Sequence, residues 1–193
     1  MGMTPKQGIG LVRQLRQDGV AAPLLLMGYY NPILSYGTAA IVRDCIEVGV
    51  DGLIVPDLPP EEAVPLARAC RHAGLALVFL VAPTSDEQRV AEIARQTSGF
   101  LYVVSQLGTT GRDLRMDKAL GRRLALAKSQ AATPVAVGFG IERPAQIAEL
   151  AAEVDGVIIG SAIVRKSEEG PEALREYVAS LHSATSFSPA GGR

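Results

Sequence analysis

Two short glycine-rich loops are the parts of this chain whose residue types and spacing point most directly to chemistry. Residues 138–141 (GFGI) follow one apolar run, and residues 160–163 (GSAI) follow the next. Glycine lets backbone N–H groups approach an anion closely, and a serine that opens a helix adds a hydroxyl. One such loop could merely relieve crowding where a strand ends, but a pair after consecutive strands predicts a phosphate site.

A third loop, residues 105–113 (SQLGTTGRD), is the longest glycine- and threonine-rich connection in the chain. It could fold over a ligand as a lid, with Gly111 adding backbone N–H groups to the phosphate site and Gly108 acting as a hinge. The same composition fits a flexible surface connection, and the sequence leaves both interpretations open.

Two further side chains are candidates for function. Asp57 follows an apolar run at the point where a parallel sheet places functional groups, although a turn aspartate before two prolines would look the same. Tyr102 lies within an apolar run, and alternation allows it to point to either face of the sheet.

The remaining reactive residue types suggest structural roles. His72 and His182 fall on predicted helices, away from strand ends, which predicts surface positions and leaves no histidine base. Cys45 and Cys70 fall on amphipathic helices, where a thiol behaves as a small hydrophobe. Neither cysteine has metal-ligand spacing around it, so we expect no metal site. Because neither histidine lies near a strand end, we also expect no Ser-His-Asp or Cys-His arrangement.

Composition narrows the class of protein. Of 193 residues 48% are hydrophobic, and 19 Lys and Arg against 20 Asp and Glu leave a net charge of -1, which provides no basic field for nucleic acid. Apolar runs fall far short of the roughly 20 residues of a membrane-spanning helix, and no signal peptide opens the chain. We expect a soluble, cytoplasmic protein.

The elements that must position these loops alternate along the chain. Apolar runs with little alternation predict strands buried on both faces, as in a parallel sheet. The predicted strands are 23–28, 52–55, 76–81, 100–105, 134–138 and 156–160. The predicted helices are 5–17, 38–48, 61–73, 86–96, 116–129, 145–152 and 171–182. Their boundaries are predicted from Thr4 before Pro5, from Ser85, and from Gly49 and Gly74.

This βα alternation fits an open doubly wound sheet or a (β/α)8 barrel of the TIM type. The glycine loops follow the last strands, where barrels commonly hold phosphate, so the pattern favours the barrel. If these are strands seven and eight, the chain contains about six βα units, strands three to eight. A complete barrel needs about 250 residues, and we therefore expect two units to lie before Met1. We assign 1–182 to an incomplete barrel domain and expect 183–193 to be a disordered tail.

Taken together, these segments resemble the alpha subunit of tryptophan synthase. The resemblance is carried by residues 25–33 (LLMGYYNPI), 49–59 (GVDGLIVPDLP), 82–84 (APT), 102–105 (YVVS), 108–111 (GTTG), 137–141 (VGFGI) and 155–164 (DGVIIGSAIV). Any one of them could occur in another phosphate-binding barrel, but their order and spacing together are specific.

The resemblance implies an eight-stranded barrel that cleaves indole-3-glycerol phosphate to indole and glyceraldehyde 3-phosphate by a retro-aldol reaction. The family uses a glutamate and an aspartate as acid and base, and its sequence around them comes before the stretch that resembles residues 2–5. Neither carboxylate matches a residue here, so activity of this chain alone is not expected. No cofactor is implied, since the pyridoxal phosphate of this system belongs to the beta subunit.

The resemblance also assigns roles to individual residues. The phosphate-binding positions are Gly111, Gly140, Gly160 and Ser161. Tyr102 and the lid residue Thr110 would support the aspartate, and Tyr29 and Phe139 would line the indole pocket. Asn31, Asp57 and Pro59 would face a beta subunit in an alpha-beta-beta-alpha assembly. A non-catalytic partner of that subunit and another phosphate-binding barrel enzyme are the alternatives.

Overall fold

The structure, a computed structural model, describes residues 2–105 and 118–185. Its residues divide into two compact units. The first comprises Met1–Phe79 and Gln96–Gly99, and the second comprises Leu80–Arg95 and Phe100–Arg193. Within the described ranges helices and strands alternate, and every strand pair is parallel.

The first unit is a three-stranded sheet with its helices. Strand order is β1-β2-β3, and the side chains of Leu26, Leu53 and Leu77 stand level across the sheet. Leu53 and Leu77 are buried, in keeping with strands covered on both faces. The elements are α1 (Pro5–Gln17), β1 (Leu25–Met27), α2 (Tyr30–Tyr36), α3 (Thr38–Val48), β2 (Gly52–Ile54), α4 (Val64–Ala73) and β3 (Ala76–Val78).

The second unit is built on a four-stranded sheet of order β4-β5-β6-β7. Val81, Val103 and Val137 lie fully buried on its strands. The elements are β4 (Leu80–Val81), α5 (Glu87–Gln96), β5 (Leu101–Val104), α6 (Lys118–Gln130), β6 (Val135–Gly138), α7 (Pro144–Leu150), β7 (Gly156–Ile158), α8 (Ser161–Ser167) and α9 (Pro171–Ser183).

Several predicted boundaries are confirmed. The Thr4 hydroxyl accepts a hydrogen bond from the N–H of Gln7 at 3.3 Å at the start of α1. Gly49 and Gly74 end α3 and α4 in the left-handed conformation that glycine adopts without a Cβ penalty. Cys45 and Cys70 are buried thiols, and both histidines lie exposed on helices, as expected.

Other predictions need correction. The strand predicted over 76–81 is interrupted at Phe79, because its N–H donates to the Thr97 hydroxyl at 3.1 Å instead of to a neighbouring strand. The cap predicted at Ser85 is wrong, since the Asp86 carboxylate accepts from the N–H of Arg89 while the Ser85 hydroxyl accepts from Ala82.

The element bounds also differ at several other points. The first predicted strand is shorter than expected, since Tyr30 already opens the unpredicted helix α2. The helix predicted from 61 starts at Val64, and α9 ends at Ser183, one residue beyond the predicted domain boundary. Most of the predicted tail, 186–193, lies outside the described residues.

One device recurs where strands begin. The Asp51 carboxylate accepts from the N–H of Leu24 at 2.6 Å, while the Asp51 N–H donates to the Leu24 carbonyl at 2.8 Å. Asp155 makes the same pair of bonds with Val135, both at 2.8 Å. Ser98 does so with Leu77, its hydroxyl accepting at 2.8 Å. Each residue stands just before a glycine, and Asp51 and Asp155 thereby fix the register of β2 against β1 and of β7 against β6.

Candidate functional site

The two glycine-rich loops lie side by side in the second unit. Val104 of β5 stands level with Gly138 of β6, which stands level with Ile158 of β7. Because the strands are parallel, their carboxyl ends meet at one edge of the sheet, where ligands of such sheets bind. We call this edge, with residues 138–143 and 159–161, the glycine edge.

The backbone after β6 adopts an uncommon conformation. Phe139 has a φ of 81°, and it is the one non-glycine residue with a positive φ among those the structure describes. Gly140 follows with a φ of 75°. A bulky residue held in the left-handed region costs free energy and persists where the surroundings enforce it, often at a functional site.

The surroundings that enforce this conformation are hydrogen bonds to the loop carbonyls. The Ser105 hydroxyl donates to the Phe139 carbonyl at 2.7 Å, and the Gln146 side-chain amide donates to the Gly140 carbonyl at 3.1 Å. The Tyr177 hydroxyl donates to the Glu142 carbonyl at 2.7 Å. Side chains that follow β5, lie on α7 and lie on α9 thus hold this short loop.

Tyr102 lies beneath this loop. Its side chain is only 4% exposed, and its ring centroid lies 6.1 Å from that of Phe139, with the planes tilted by 37°. Burial raises the pKa of the Tyr102 hydroxyl to about 12. The hydroxyl is therefore neutral at physiological pH.

Gly138 is required by the tyrosine ring. A Cβ atom on Gly138 would lie 2.5 Å from the Tyr102 hydroxyl oxygen and 2.8 Å from Cε2, closer than real side chains approach. Glycine is therefore needed at position 138 because the Tyr102 ring approaches its backbone closely. Its backbone conformation does not require glycine, since its φ is not positive.

The second glycine loop leads directly into α8. Gly160 precedes the helix, Ser161 is its first residue, and the Gly160 carbonyl accepts from the N–H of Val164 at 3.1 Å. Gly160 is exposed, and a Cβ there would meet open space. This loop leaves room for a ligand beside its backbone.

The remaining described candidates lie in the first unit. Tyr29 is 67% exposed and lines a cavity of about 410 Å³ together with Leu26, Pro32 and Ile33. Tyr29 immediately precedes α2, and the strand predicted over 23–28 stops at Met27.

Asp57 has a structural role that the sequence left open. Its carboxylate accepts from the N–H of Tyr30 at 2.9 Å, so it caps the first turn of α2, the helix that carries Asn31. Asp57 and Asn31 are exposed and Pro59 is half-buried. Thr110 and Gly111, like most of the predicted lid, lie outside the described residues.

Ser105 and Gln146 are the functional candidates that sequence reasoning missed. Ser105 counted only as the first residue of the predicted lid. For Gln146 a signal exists, because Pro144 at the first helical position with glutamine two residues later is typical of a capped helix start.

Membrane-spanning helices and metal-binding clusters are absent from the described residues. None of their helices is long and apolar enough to cross a membrane. Within 2–105 and 118–185, no cluster of three His, Cys, Asp or Glu side chains has an arrangement that could hold a metal ion.

Comparisons with known proteins agree on one family. Residues 1–188 match the sequence profile described as "Tryptophan synthase alpha chain". The chain is 44% identical over 177 residues to the tryptophan synthase alpha chain of Geobacter sp. (strain M21), an alignment that covers 91% of this chain and 66% of the relative. It is 42% identical over 178 residues to that of Roseiflexus sp. (strain RS-1), covering 92% and 67%.

Solved structures give the same result. A tryptophan synthase structure from Mycobacterium tuberculosis superposes with a TM-score of 0.86 at 35% identity, covering 95% of this chain and 70% of that one. The Pyrococcus furiosus a2b2 complex gives a TM-score of 0.83 at 34% identity, covering 94% and 75%. The predicted fold class, an incomplete barrel of the TIM type, is confirmed. The chain spans 66% of the length of the Geobacter relative.

Proposed function

The chain belongs to the tryptophan synthase alpha chain family, and from that membership we propose that its glycine edge binds the phosphate of indole-3-glycerol phosphate for retro-aldol cleavage to indole and glyceraldehyde 3-phosphate. The observation that carries the proposal is the register of β5, β6 and β7, which brings both glycine loops to one edge of one sheet. Both loops lie within the residues that match the family.

The described residues suit an anion and an aromatic group side by side. Gly140, Gly160 and Ser161 supply backbone N–H groups, and Ser161 adds a hydroxyl. The rings of Phe139 and Tyr102 form an apolar wall next to the loop. We assign the phosphate to the N–H groups of the loop and the indole to the wall formed by the two rings.

These 193 residues contain no assigned acid or base for the proton transfers of the reaction. The family's acid and base match no residue of this chain, and a positioned acid or base contributes about 10² to 10⁴-fold. Asp57 is a poor substitute because its carboxylate already caps α2. We propose that the chain alone binds phosphate but does not release indole above background.

The experiment measures both properties on the purified chain. Calorimetric titration with inorganic phosphate and with indole-3-glycerol phosphate should show binding that weakens at least about 10-fold in Gly140→Val and Ser161→Val, since each side chain would fill the anion site. Gly121→Val on α6, where an added Cβ would meet nothing within 4 Å, is the matched control. A preference for a different sugar phosphate would support another barrel enzyme and reject this assignment.

Indole release is the second readout. The wild-type chain should give no indole above background. Release at the rate of a complete enzyme, lost in Asp57→Asn, would show that Asp57 is the catalytic group and that the proposed division of roles is wrong.

We also propose a beta subunit as the partner, bound through Asn31, Asp57 and Pro59. All three lie on or next to α2 and the turn after β2, and the Asp57–Tyr30 bond ties these two segments together. Titration of a family beta subunit with Asp57→Ala should show weaker binding than with wild type, whereas Glu172→Ala on α9 should match wild type. Equal binding by both variants would reject the surface.

The cytoplasm is the compartment we propose for the chain. Both cysteines, Cys45 and Cys70, are free thiols, as is usual in a reducing compartment. Cell fractionation that placed the protein outside the cytoplasm would contradict this.

A further inference from the structure

We propose that Ser105 and Gln146 are positioning residues that aim the backbone N–H groups of Gly140 and Ile141 at a bound phosphate. The inference rests on the phosphate site proposed above. It concerns side chains that need not touch the ligand and act through the backbone between them.

The peptide group is planar, and this fixes the direction of its N–H relative to its carbonyl. In a trans peptide the carbonyl of one residue and the N–H of the next point in opposite directions. A partner that holds the Phe139 carbonyl therefore fixes the direction of the Gly140 N–H. In the same way, a partner that holds the Gly140 carbonyl fixes the N–H of Ile141.

Ser105 holds the first of these peptide groups. Its hydroxyl donates to the Phe139 carbonyl at 2.7 Å, and its own N–H donates to the Gly138 carbonyl at 3.1 Å. Ser105 follows the last residue of β5 and is buried. The end of one strand is thus fastened to the loop that leaves the neighbouring strand.

Gln146 holds the second peptide group. Its amide nitrogen donates to the Gly140 carbonyl at 3.1 Å, and its amide oxygen accepts from the N–H groups of Glu142 and Arg143, each at 2.9 Å. The side chain is 4% exposed. A buried amide that uses both ends on one loop fixes the path of that loop and has little capacity left for a ligand.

The loop needs these bonds because its preferred conformation lies elsewhere. Phe139 at a φ of 81° would relax if nothing held its carbonyl. Relaxation would rotate the peptide groups on either side and turn their N–H groups away from the anion. Binding would then have to supply the ordering itself and would weaken.

The test compares each variant with a matched control in the first unit. Ser105→Ala is matched by Ser98→Ala, since Ser98 also makes a part-buried hydroxyl–backbone bond next to a strand. Gln146→Met is matched by Gln7→Met, since Gln7 closes the capping box of α1 through the N–H of Thr4. The probe is inorganic phosphate, titrated calorimetrically into the purified chain.

We expect phosphate affinity to fall about 3- to 10-fold in Ser105→Ala and in Gln146→Met, as for loss of one or two intramolecular hydrogen bonds. Ser98→Ala and Gln7→Met should bind phosphate like wild type. Ser105→Thr, which keeps the hydroxyl, should restore affinity. Gln146→Glu, which keeps the acceptor but loses the donor to Gly140, should not.

A second measurement reads the orientation directly. Residual dipolar couplings of the Gly140 and Ile141 N–H groups should change in Ser105→Ala and Gln146→Met and stay constant in both controls. This readout needs no ligand, so it separates the two proposals. A wild-type chain that binds no phosphate would reject the proposed function, whereas unchanged couplings or unchanged affinity in both variants would reject the positioning role.

Discussion

The contact between Gly138 and Tyr102 is the tightest constraint on the glycine edge at the level of single residues. Three atoms of the tyrosine ring system lie within 2.9 Å of the place where a Cβ on Gly138 would stand. Tyr102 also packs against Phe139, so the ring cannot move aside without disturbing the loop. The pair should therefore behave as a coupled unit in mutagenesis.

Replacing Gly138 by alanine should destabilise the chain by about 1–3 kcal/mol, because the added methyl group overpacks a buried site. Tyr102→Leu removes all three clashing atoms, so the double variant should recover part of the loss. The measurement is urea unfolding in a double-mutant cycle. Gly121→Ala, in open space on α6, is the control and should be neutral or stabilising. Purely additive effects of the two substitutions would contradict the predicted coupling.

Tyr102 also predicts a loss of stability in alkali. Its folded pKa is about 12 against an ordinary value of 10.0, so between these pH values the unfolded chain loses a proton that the folded chain retains. Stability should fall as pH rises from about 10 to about 12, by about 2–3 kcal/mol in the limit for this one group. The urea midpoint of Tyr102→Phe should fall less steeply across this range, because Tyr102 no longer contributes to the loss of stability. It should still fall, because other groups keep raised pKa values. Parallel pH curves for the two proteins would contradict the assignment.

At the level of helices and strands, the residues that precede strands are the main constraint on how neighbouring strands align. Asp51 joins β2 to the start of β1, and Asp155 joins β7 to β6, each through one side-chain bond and one backbone bond. Ser98 makes the same pair of bonds with Leu77 of β3. At Asp51 the carboxylate also accepts from the Arg16 guanidinium at 2.6 Å, which connects α1 to the sheet. Within the second unit, Asp155 lies at the end of the sheet opposite the glycine edge.

Asp51→Ala should cost about 1–3 kcal/mol in unfolding free energy, because it leaves the Leu24 N–H without its acceptor and removes the carboxylate partner of the Arg16 guanidinium. The comparison is Glu172→Ala, which removes the exposed ion pair with Arg175 and should cost less than about 1 kcal/mol. Urea unfolding of the two variants measures the difference. Equal losses of stability in the two variants would show that the bonds of Asp51 contribute no more than an exposed ion pair.

Long periodic segments and buried apolar runs were predictable from sequence, because their patterns reflect burial on one or both faces. Strands around Leu53, Val103 and Val137 were found, and helix ends at Gly49 and Gly74 were found from backbone preference. The glycine loops were placed correctly after their strands because glycine at a strand end has few explanations.

The errors arose where side chains from distant segments decide the outcome. The break at Phe79 depends on a hydroxyl from Thr97, and α2 depends on Asp57, far along the chain from Tyr30. The roles of Ser105 and Gln146 depend on contacts with residues 138–143 that no local pattern contains. Sequence spacing indicates which residues reach the edge of the sheet, but not which backbone groups they will hold.

On the scale of the whole molecule, the two cysteines report on unfolding of the first unit, in which both lie. Burial raises the pKa of Cys45 to about 11 and that of Cys70 to about 12, from 9.0. The thiolate fraction at pH 8 is then at least about 100-fold lower than in the unfolded chain, before steric protection is counted. Labelling with a disulfide reagent should therefore be slow in native buffer and fast in urea.

The control for that measurement is an exposed thiol, and Ser129→Cys near the end of α6 supplies one. It should label at once in native buffer while the other two thiols stay protected. Rapid native labelling of all three would show that α3 and α4 open readily around Cys45 and Cys70.

The packing of Tyr102 against Phe139 also has an optical consequence. The sequence contains five tyrosines and no tryptophan, so the intrinsic emission of the chain comes from tyrosine alone. The emission band of tyrosine overlaps the absorption band of indole, and an indole seated beside this ring pair would accept its excitation energy and emit at longer wavelength. The chain therefore carries its own donor chromophore at the proposed indole site, and occupancy of that site could be followed by fluorescence without any label.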